Sequence, residues 1–197
     1  MNKRIIGLTG GIATGKTTVA NYLASAYHLP IFDADIYARD AVAVGSPILG
    51  AIAQRYGEQI LLPDGSLNRE KLGTIIFPQP DERHWVESLI HPYVLHRFQQ
   101  AMPIAESSQT LLLVIPLLFE AQMTDLVTEI WVVRCSEFQQ LQRLMQRNHL
   151  TKEQAQARID SQLSLAEKAA RATVVLDNSF TPESLTKQVD VALAMNI

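Results

Sequence analysis

The sequence predicts an α/β protein: a five-stranded, mostly parallel sheet flanked by helices on both faces. Three observations carry that expectation. Short apolar, β-branched runs alternate along the chain with segments of helical period. A glycine-rich turn, "GGIATGKTT" at residues 10–18, separates the first apolar run from the first helix. Two of the helical stretches, at 36–102 and 138–171, are longer than a simple crossover between parallel strands requires.

The first strand is "IIGLTG" (5–10), and the segment after the turn, "TTVANYLASAY" (17–27), repeats Val19, Ala20, Leu23, Ala24 and Tyr27 at helical spacing. The turn between them fits G-x-x-x-x-G-K-[ST], with Gly10, Gly15, Lys16 and Thr17 at the fixed positions. Strand, turn and helix in that order make the pattern a phosphate cradle. Glycine lets the backbone bend around an anion, and the amides of the turn then face it together with the positive end of the helix. Gly10, Gly11, Ile12, Ala13, Thr14, Gly15, Lys16, Thr17 and Thr18 are therefore the nucleotide-binding candidates. Lys16 would reach the β- and γ-phosphates, and the Thr17 hydroxyl would ligate Mg²⁺. The fold expected around such a loop is that of the P-loop nucleoside-triphosphate hydrolases.

The second strand, "LPIFDAD" (29–35), ends in two carboxylates, Asp33 and Asp35. Roughly 75 residues separate it from the third. Within them "SPILGAIAQRYG" and "NREKLGTIIF" read as short helices joined by a "PDGS" turn, and "PDERHWVESLIHPYVLHRFQQAM" as a longer helix interrupted near Pro92. "TLLLVIP" (110–116) is a continuous apolar run, as expected of a central strand covered on both faces, and leads into Leu117 and Glu120. "EIWVVR" (129–134) and "ATVVLDN" (172–178) complete the sheet. Between them lie arginine-bearing helices with capping boxes at Thr151/Gln154 and Ser164/Glu167, and the last helix opens with Thr181 as cap and Pro182 in its first turn. The expected division is a nucleotide-binding core (1–35, 103–137 and 172–197), a helical acceptor-binding insertion (36–102) and a helical lid (138–171).

Composition narrows the function. The 197 residues carry a net charge of −3, which argues against a nucleic-acid partner. No apolar run approaches the ~20 residues of a membrane span, and the apolar run before the glycines is too short for a signal sequence. A single cysteine, Cys135, fits a reducing cytoplasm and reads as a buried structural thiol rather than a nucleophile. The expectation is a cytoplasmic enzyme, monomeric or weakly self-associating.

Phosphoryl transfer needs a base for the attacking hydroxyl, cations around the moving group and a cover against water. Ligands in open parallel sheets lie beyond the carboxyl ends of the strands, which places Asp33 and Asp35 beside the phosphate loop. One could accept the acceptor's proton while the other orients a metal-bound water; either could instead cap the next helix. Arg143 and Arg147, four residues apart on one helical face, could neutralise moving phosphate oxygens or form a solvated face. His91 stands within the insertion with no metal-ligand set near it in sequence.

The chain resembles the dephospho-coenzyme A kinases from end to end. The matching words are "IIGLTGGIATGKTTVA", "FDADIYARDAV", "GSLNREKLGTIIF", "LIHPYV", "VIPLLFE", "QLQRLMQR", "RIDSQLSLAEKAARA" and "DNS", in the family's order. The resemblance implies transfer of the ATP γ-phosphate to the ribose 3'-hydroxyl of dephospho-coenzyme A. It implies Asp33 as the activating carboxylate, Lys16 and Arg143 as charge-neutralising cations, and Arg147 as the neighbouring lid arginine. Asn178 falls where the family contacts adenine, and Asp35, His91, Leu117 and Glu120 on the acceptor side. Two departures stand out. The loop reads "ATGKT" where the family usually has "GSGKS", and Ala13 asks less freedom of the backbone than Gly permits; Thr173 stands where the family tends to carry Asp. The nearest rival is another small P-loop kinase with a different acceptor. A GTP-dependent switch would need D-x-x-G and [NT]-K-x-D, and neither occurs.

Overall fold

The computed structural model describes residues 3–105 and 109–195. In chain order the elements are β1 (Arg4–Gly10), α1 (Lys16–Tyr27), β2 (Ile31–Asp33), α2 (Ala34–Ala41), α3 (Pro47–Tyr56), α4 (Arg69–Ile76) and α5 (Pro80–Ala101). They continue with β3 (Thr110–Val114), β4 (Glu129–Arg134), α6 (Glu137–Asn148), α7 (Lys152–Asp160), α8 (Leu165–Ala170), β5 (Val174–Asp177) and α9 (Pro182–Ala194). Contacts divide the chain into two compact units, Met1–Asp33 with Met102–Ile197, and Ala34–Ala101.

The first unit holds the sheet. Its five strands run in the order β2-β3-β1-β4-β5, and every pairing is parallel. From β1 the chain passes to β2 on one side, and after β3 it crosses to β4 on the other. That reversal puts the carboxyl end of β1 at the crevice where ligands bind in open α/β sheets. Strand alternation explains the apolar runs. Leu112 and Val114 of β3 join Ile6, Leu8, Trp131, Val133 and Leu176 in one core with Val19 and Leu23 of α1 and Leu185 and Val189 of α9. Leu111 and Leu113 point the opposite way and are equally buried, so β3 has no solvated face. The cluster of α1 and α9 is closed at its rim by Tyr22 and Tyr27, whose hydroxyls donate to Asp190 at 2.6 and 2.8 Å.

The charged ends of this core are matched. Glu129 is buried and accepts from the Arg4 guanidinium and from Trp131 Nε1 at 3.2 Å. Arg4 also donates to the carbonyls of Leu193, at 2.7 Å, and Ala192, at 3.2 Å, at the negative end of α9. Expected caps occur where the sequence places them: Thr181 accepts from Ser184, and both capping boxes form at Thr151/Gln154 and Ser164/Glu167.

The second unit is helical, with Leu49, Ile52, Ile60, Leu72 and Val86 at its centre and Tyr37 against Phe98 at 5.1 Å between ring centroids. The expected interruption at Pro92 does not occur, because α5 runs unbroken from Pro80 to Ala101. Pro92 forfeits one backbone hydrogen bond but sits on an exposed position, while Val86 before it and Val94 and Phe98 after it are all buried. Packing on both sides of the proline holds the two halves in line, where local propensity alone would break them.

Glu82 of α5 accepts from Arg55 at 2.8 Å and from the Tyr56 hydroxyl at 2.6 Å, and these partners hold its carboxyl down at about 2. A depressed carboxyl contributes stability above its ordinary value near 4.5, lost as pH falls toward the folded value. Glu82→Gln is therefore expected to be less stable than the parent at pH 7, with the gap closing between pH 4.5 and 2. Denaturant titrations of both proteins across that range would check it, and a gap independent of pH would contradict it.

Candidate active site

The phosphate loop occupies residues 11–15, between β1 and α1. Two glycines are required by its geometry. Gly10 has φ of 142° and Gly15 of 107°, and a Cβ at either would collide, with the Val133 carbonyl at Gly10 and with the Asn178 side chain at Gly15. Thr14 is fully buried and its hydroxyl donates to the Gly11 carbonyl at 2.9 Å, bracing the turn from within. Ala13 has φ of 61°, so this position does demand the left-handed backbone that glycine adopts without strain, contrary to the expectation from the loop's composition. Lys16 arches over the loop, with Nζ donating to the carbonyls of Gly10 at 3.1 Å and Gly11 at 2.7 Å.

The loop is held from outside by residues far away in sequence. Gln140 of α6, nearly fully buried, donates through Nε2 to the Ile12 carbonyl at 2.9 Å. The Ile12 amide donates to Gln162 Oε1, also at 2.9 Å. Asn178 Nδ2 donates to the Thr14 carbonyl at 2.8 Å, and Arg143 donates to the Asn178 carbonyl at 3.1 Å. Lys16, Thr14, Gly15, Asn178 and Arg143 thus form one connected set. Arg147 does not join it: the side chain is exposed and its Nε donates to neighbouring Asn148 at 2.9 Å.

Asp33 closes β2. Its backbone pairs with Val114, which pairs with Leu8 of β1, so these three residues form one row across the sheet. At one strand spacing per step, Asp33 lies about 10 Å across the sheet from β1, at the carboxyl edge where the phosphate loop begins. Asp35 lies in the exposed first turn of α2 and His91 on α5, half-buried, both in the second unit.

The segment after β3 is tied to the helices that precede β5. Leu117 is half-buried. Glu120 Oε1 accepts from Lys168 at 2.8 Å and from the Leu163 amide at 3.0 Å, while its Oε2 is buried with no hydrogen-bond partner. Lys168 is fully buried and also donates to the Pro116 carbonyl at 3.0 Å, which accepts from Thr9 at 3.1 Å. A lysine buried this completely is costly unless paired, so its partner matters more than its exposure would suggest. Lys168→Met is expected to cost about 3 kcal/mol by stranding the Glu120 carboxylate. The double variant Glu120→Gln/Lys168→Met should recover part of that, as urea unfolding would show.

Sequence reasoning missed Gln140, Gln162 and Lys168. Gln140 did leave a signal, since it stands four residues before buried Leu144 and so shares the buried face of α6. Lys168 left none, being one charge among alanines in "LAEKAA". A pocket of about 320 Å³ opens nearby, lined by Arg134, Cys135, Ser136, Leu165, Asp177 and Ser179. Burial raises Cys135 above its ordinary thiol value against the opposing pull of Arg143, leaving it a poor nucleophile, as expected. Burial would raise Asp177, but Ser179 and the Arg134 guanidinium, 3.0 Å away, outweigh it and keep the carboxyl low.

The residues fit a magnesium ion at one donor. Thr17 is exposed in the first turn of α1, and among the described residues its hydroxyl enters no hydrogen bond, unlike that of Thr14. A hydroxyl left over at the mouth of a phosphate cradle suits a hard cation that prefers oxygen ligands. No helix among the described residues is long and apolar enough to cross a membrane.

The dephospho-CoA kinase family model matches residues 4–183. A dephospho-CoA kinase of Trichormus variabilis is 79% identical over 194 residues, which are 98% of each chain. Among solved structures, TT1252 from Thermus thermophilus superposes with a TM-score of 0.80 at 29% identity over the whole of both chains. The dephospho-CoA kinase from Campylobacter jejuni gives a TM-score of 0.69 at 25% identity, covering 97% of this chain and 96% of that one. With an all-parallel sheet, a phosphate loop and matches of this extent, the chain belongs to the dephospho-CoA kinase family.

Proposed function

We propose that the chain transfers the γ-phosphate of ATP to the ribose 3'-hydroxyl of dephospho-coenzyme A, giving coenzyme A and ADP, the final step of coenzyme A synthesis. Family membership supports the reaction and its two substrates. The observation that carries the assignment of roles is the strand register, which sets Asp33 at the same carboxyl edge as the phosphate loop, one strand beyond its neighbour. Asp33 accepts the proton of the 3'-hydroxyl as that oxygen bonds to the γ-phosphorus and the bond to the β-phosphate bridging oxygen breaks. Lys16 and Arg143 meet the charge gathering on the transferring oxygens. Thr17 would hold Mg²⁺, which when bound neutralises the β- and γ-phosphates.

The pocket beside Asn178 takes the nucleotide base, and Arg147 closes with the lid helices α6–α8. Asp35, His91, Leu117 and Glu120 are assigned to the acceptor side, Glu120 through the segment it anchors rather than by its engaged Oε1. The enzyme acts in the cytoplasm as a monomer or weak homo-oligomer, without nucleic-acid or membrane partners. Incubation with ATP, Mg²⁺ and a panel of acceptors, followed by mass spectrometry, tests the reading. Phosphorylation of dephospho-coenzyme A well above that of AMP, shikimate or gluconate is expected; activity on one of those alone would overturn it.

A further inference from the structure

The peptide unit that joins Gly11 to Ile12 is held at both of its ends. Its N–H, on Ile12, donates to Gln162 Oε1 at 2.9 Å. Its carbonyl, on Gly11, accepts from Lys16 Nζ at 2.7 Å and from the Thr14 hydroxyl at 2.9 Å. A peptide unit is planar and rigid, with N–H and C=O pointing opposite ways, so fixing one end fixes the direction of the other. Gln140 of α6 closes the adjoining space. Its Nε2 donates to the Ile12 carbonyl at 2.9 Å and fills the place that a side chain at Gly11 would take. Rotation of the unit away from Gln162 would turn the Gly11 carbonyl away from the Lys16 ammonium.

Gln162 can hold the loop because it is fixed itself. It lies half-buried between α7 and α8, and its own amide donates to the Ile159 carbonyl at 3.1 Å. The next amide, that of Leu163, donates to Glu120 Oε1 at 3.0 Å, and Glu120 is paired at 2.8 Å with the fully buried Lys168. Lys168 also donates to the Pro116 carbonyl at 3.0 Å, which accepts from Thr9, the residue that leads into the loop, at 3.1 Å. One buried ion pair therefore ties down both the entry to the phosphate loop and the residue that grips Ile12.

We infer that Gln162 is a positioning residue for phosphoryl transfer: by holding the Ile12 amide it aims the Gly11 carbonyl at Lys16, and so sets where the ammonium stands when ATP fills the loop. The Ile12 amide is then a support of the loop and not one of its donors to phosphate. This rests on the role given to Lys16 in the proposed reaction, and not on which acceptor takes the phosphate.

The test is a double-mutant cycle on the full chain, with kcat and KM for ATP measured beside a circular-dichroism melt. Gln162→Met is expected to lower kcat about five- to tenfold, the scale of one neutral hydrogen bond, with KM for ATP and the melt close to the parent. Gln162→Ala removes the same oxygen by truncation and should give the same split, which covers the case in which methionine packs badly. Gln162→Glu keeps an accepting oxygen and should recover most of kcat, while its charge beside the phosphates raises KM for ATP. In a Lys16→Ala background Gln162→Met should change kcat by less than about twofold, because the group it aims is gone. The full loss in that background would overturn the inference, as would parental kcat in both Gln162→Met and Gln162→Ala. A loss in Gln162→Glu as large as in Gln162→Met, or a melt lowered in step with kcat in every variant, would overturn it too. A lower KM for ATP in Gln162→Met would show Gln162 competing with the nucleotide for the Ile12 amide, which contradicts the inference. Parental turnover in Lys16→Ala alone would remove Lys16 from the proposed reaction and this inference with it, and is read before Gln162 is changed.

Discussion

Asp33→Asn is expected to bind ATP as the parent does while turnover on dephospho-coenzyme A falls about a hundredfold or more, the usual size of a general-base contribution. Asparagine keeps the shape and a hydrogen-bonding oxygen but has no lone pair basic enough to take the hydroxyl proton. Asp33 ends β2 with its backbone in register with Val114 and Leu8, so the substitution removes a charge at the sheet edge without removing a core side chain. The effect should therefore appear in turnover and leave thermal unfolding close to the parent. Near-parental turnover would take Asp33 out of the mechanism.

Lys16→Ala is expected to lower turnover about 10²- to 10³-fold, the scale seen when one preorganised donor to a developing charge is removed. The ammonium already stands over the loop, donating to the carbonyls of Gly10 and Gly11, so it is positioned before any reaction begins. The loop itself should survive, because Thr14, Gln140, Gln162 and Asn178 hold its backbone independently of Lys16. Single-turnover kinetics with a parallel circular-dichroism melt separate the two effects. A variant that keeps turnover but binds ATP poorly would make Lys16 a binding group and not a catalytic one.

Much of the architecture was legible in the chain because it depends on local pattern. "TLLLV" reads as a central strand because no polar residue interrupts it, and Leu111 and Leu112 do bury opposite faces. Thr151, Ser164 and Thr181 announce helix starts through side-chain hydrogen bonds spanning only three residues. Pro92 misled for the complementary reason: proline's local cost is visible in sequence, whereas the packing of Val94 and Phe98 that overrides it is not.

The site was legible to the extent that it is built from contiguous residues. The phosphate loop could be read directly, including the glycines at 10 and 15 that its backbone requires. Its outer supports could not, because Gln140 and Gln162 meet Ile12 only after the chain has folded across the sheet. The same holds for Lys168, which reads as a solvated lysine until Glu120 and Pro116 are brought to it.

The most direct measurement is a crystal structure of the chain with ADP and dephospho-coenzyme A both bound. The account predicts the ribose 3'-oxygen within about 2.6–3.2 Å of an Asp33 carboxylate oxygen, on the side facing the open end of the diphosphate. An Asp33 side chain turned away from the ribose, with another group against the 3'-oxygen, would contradict it.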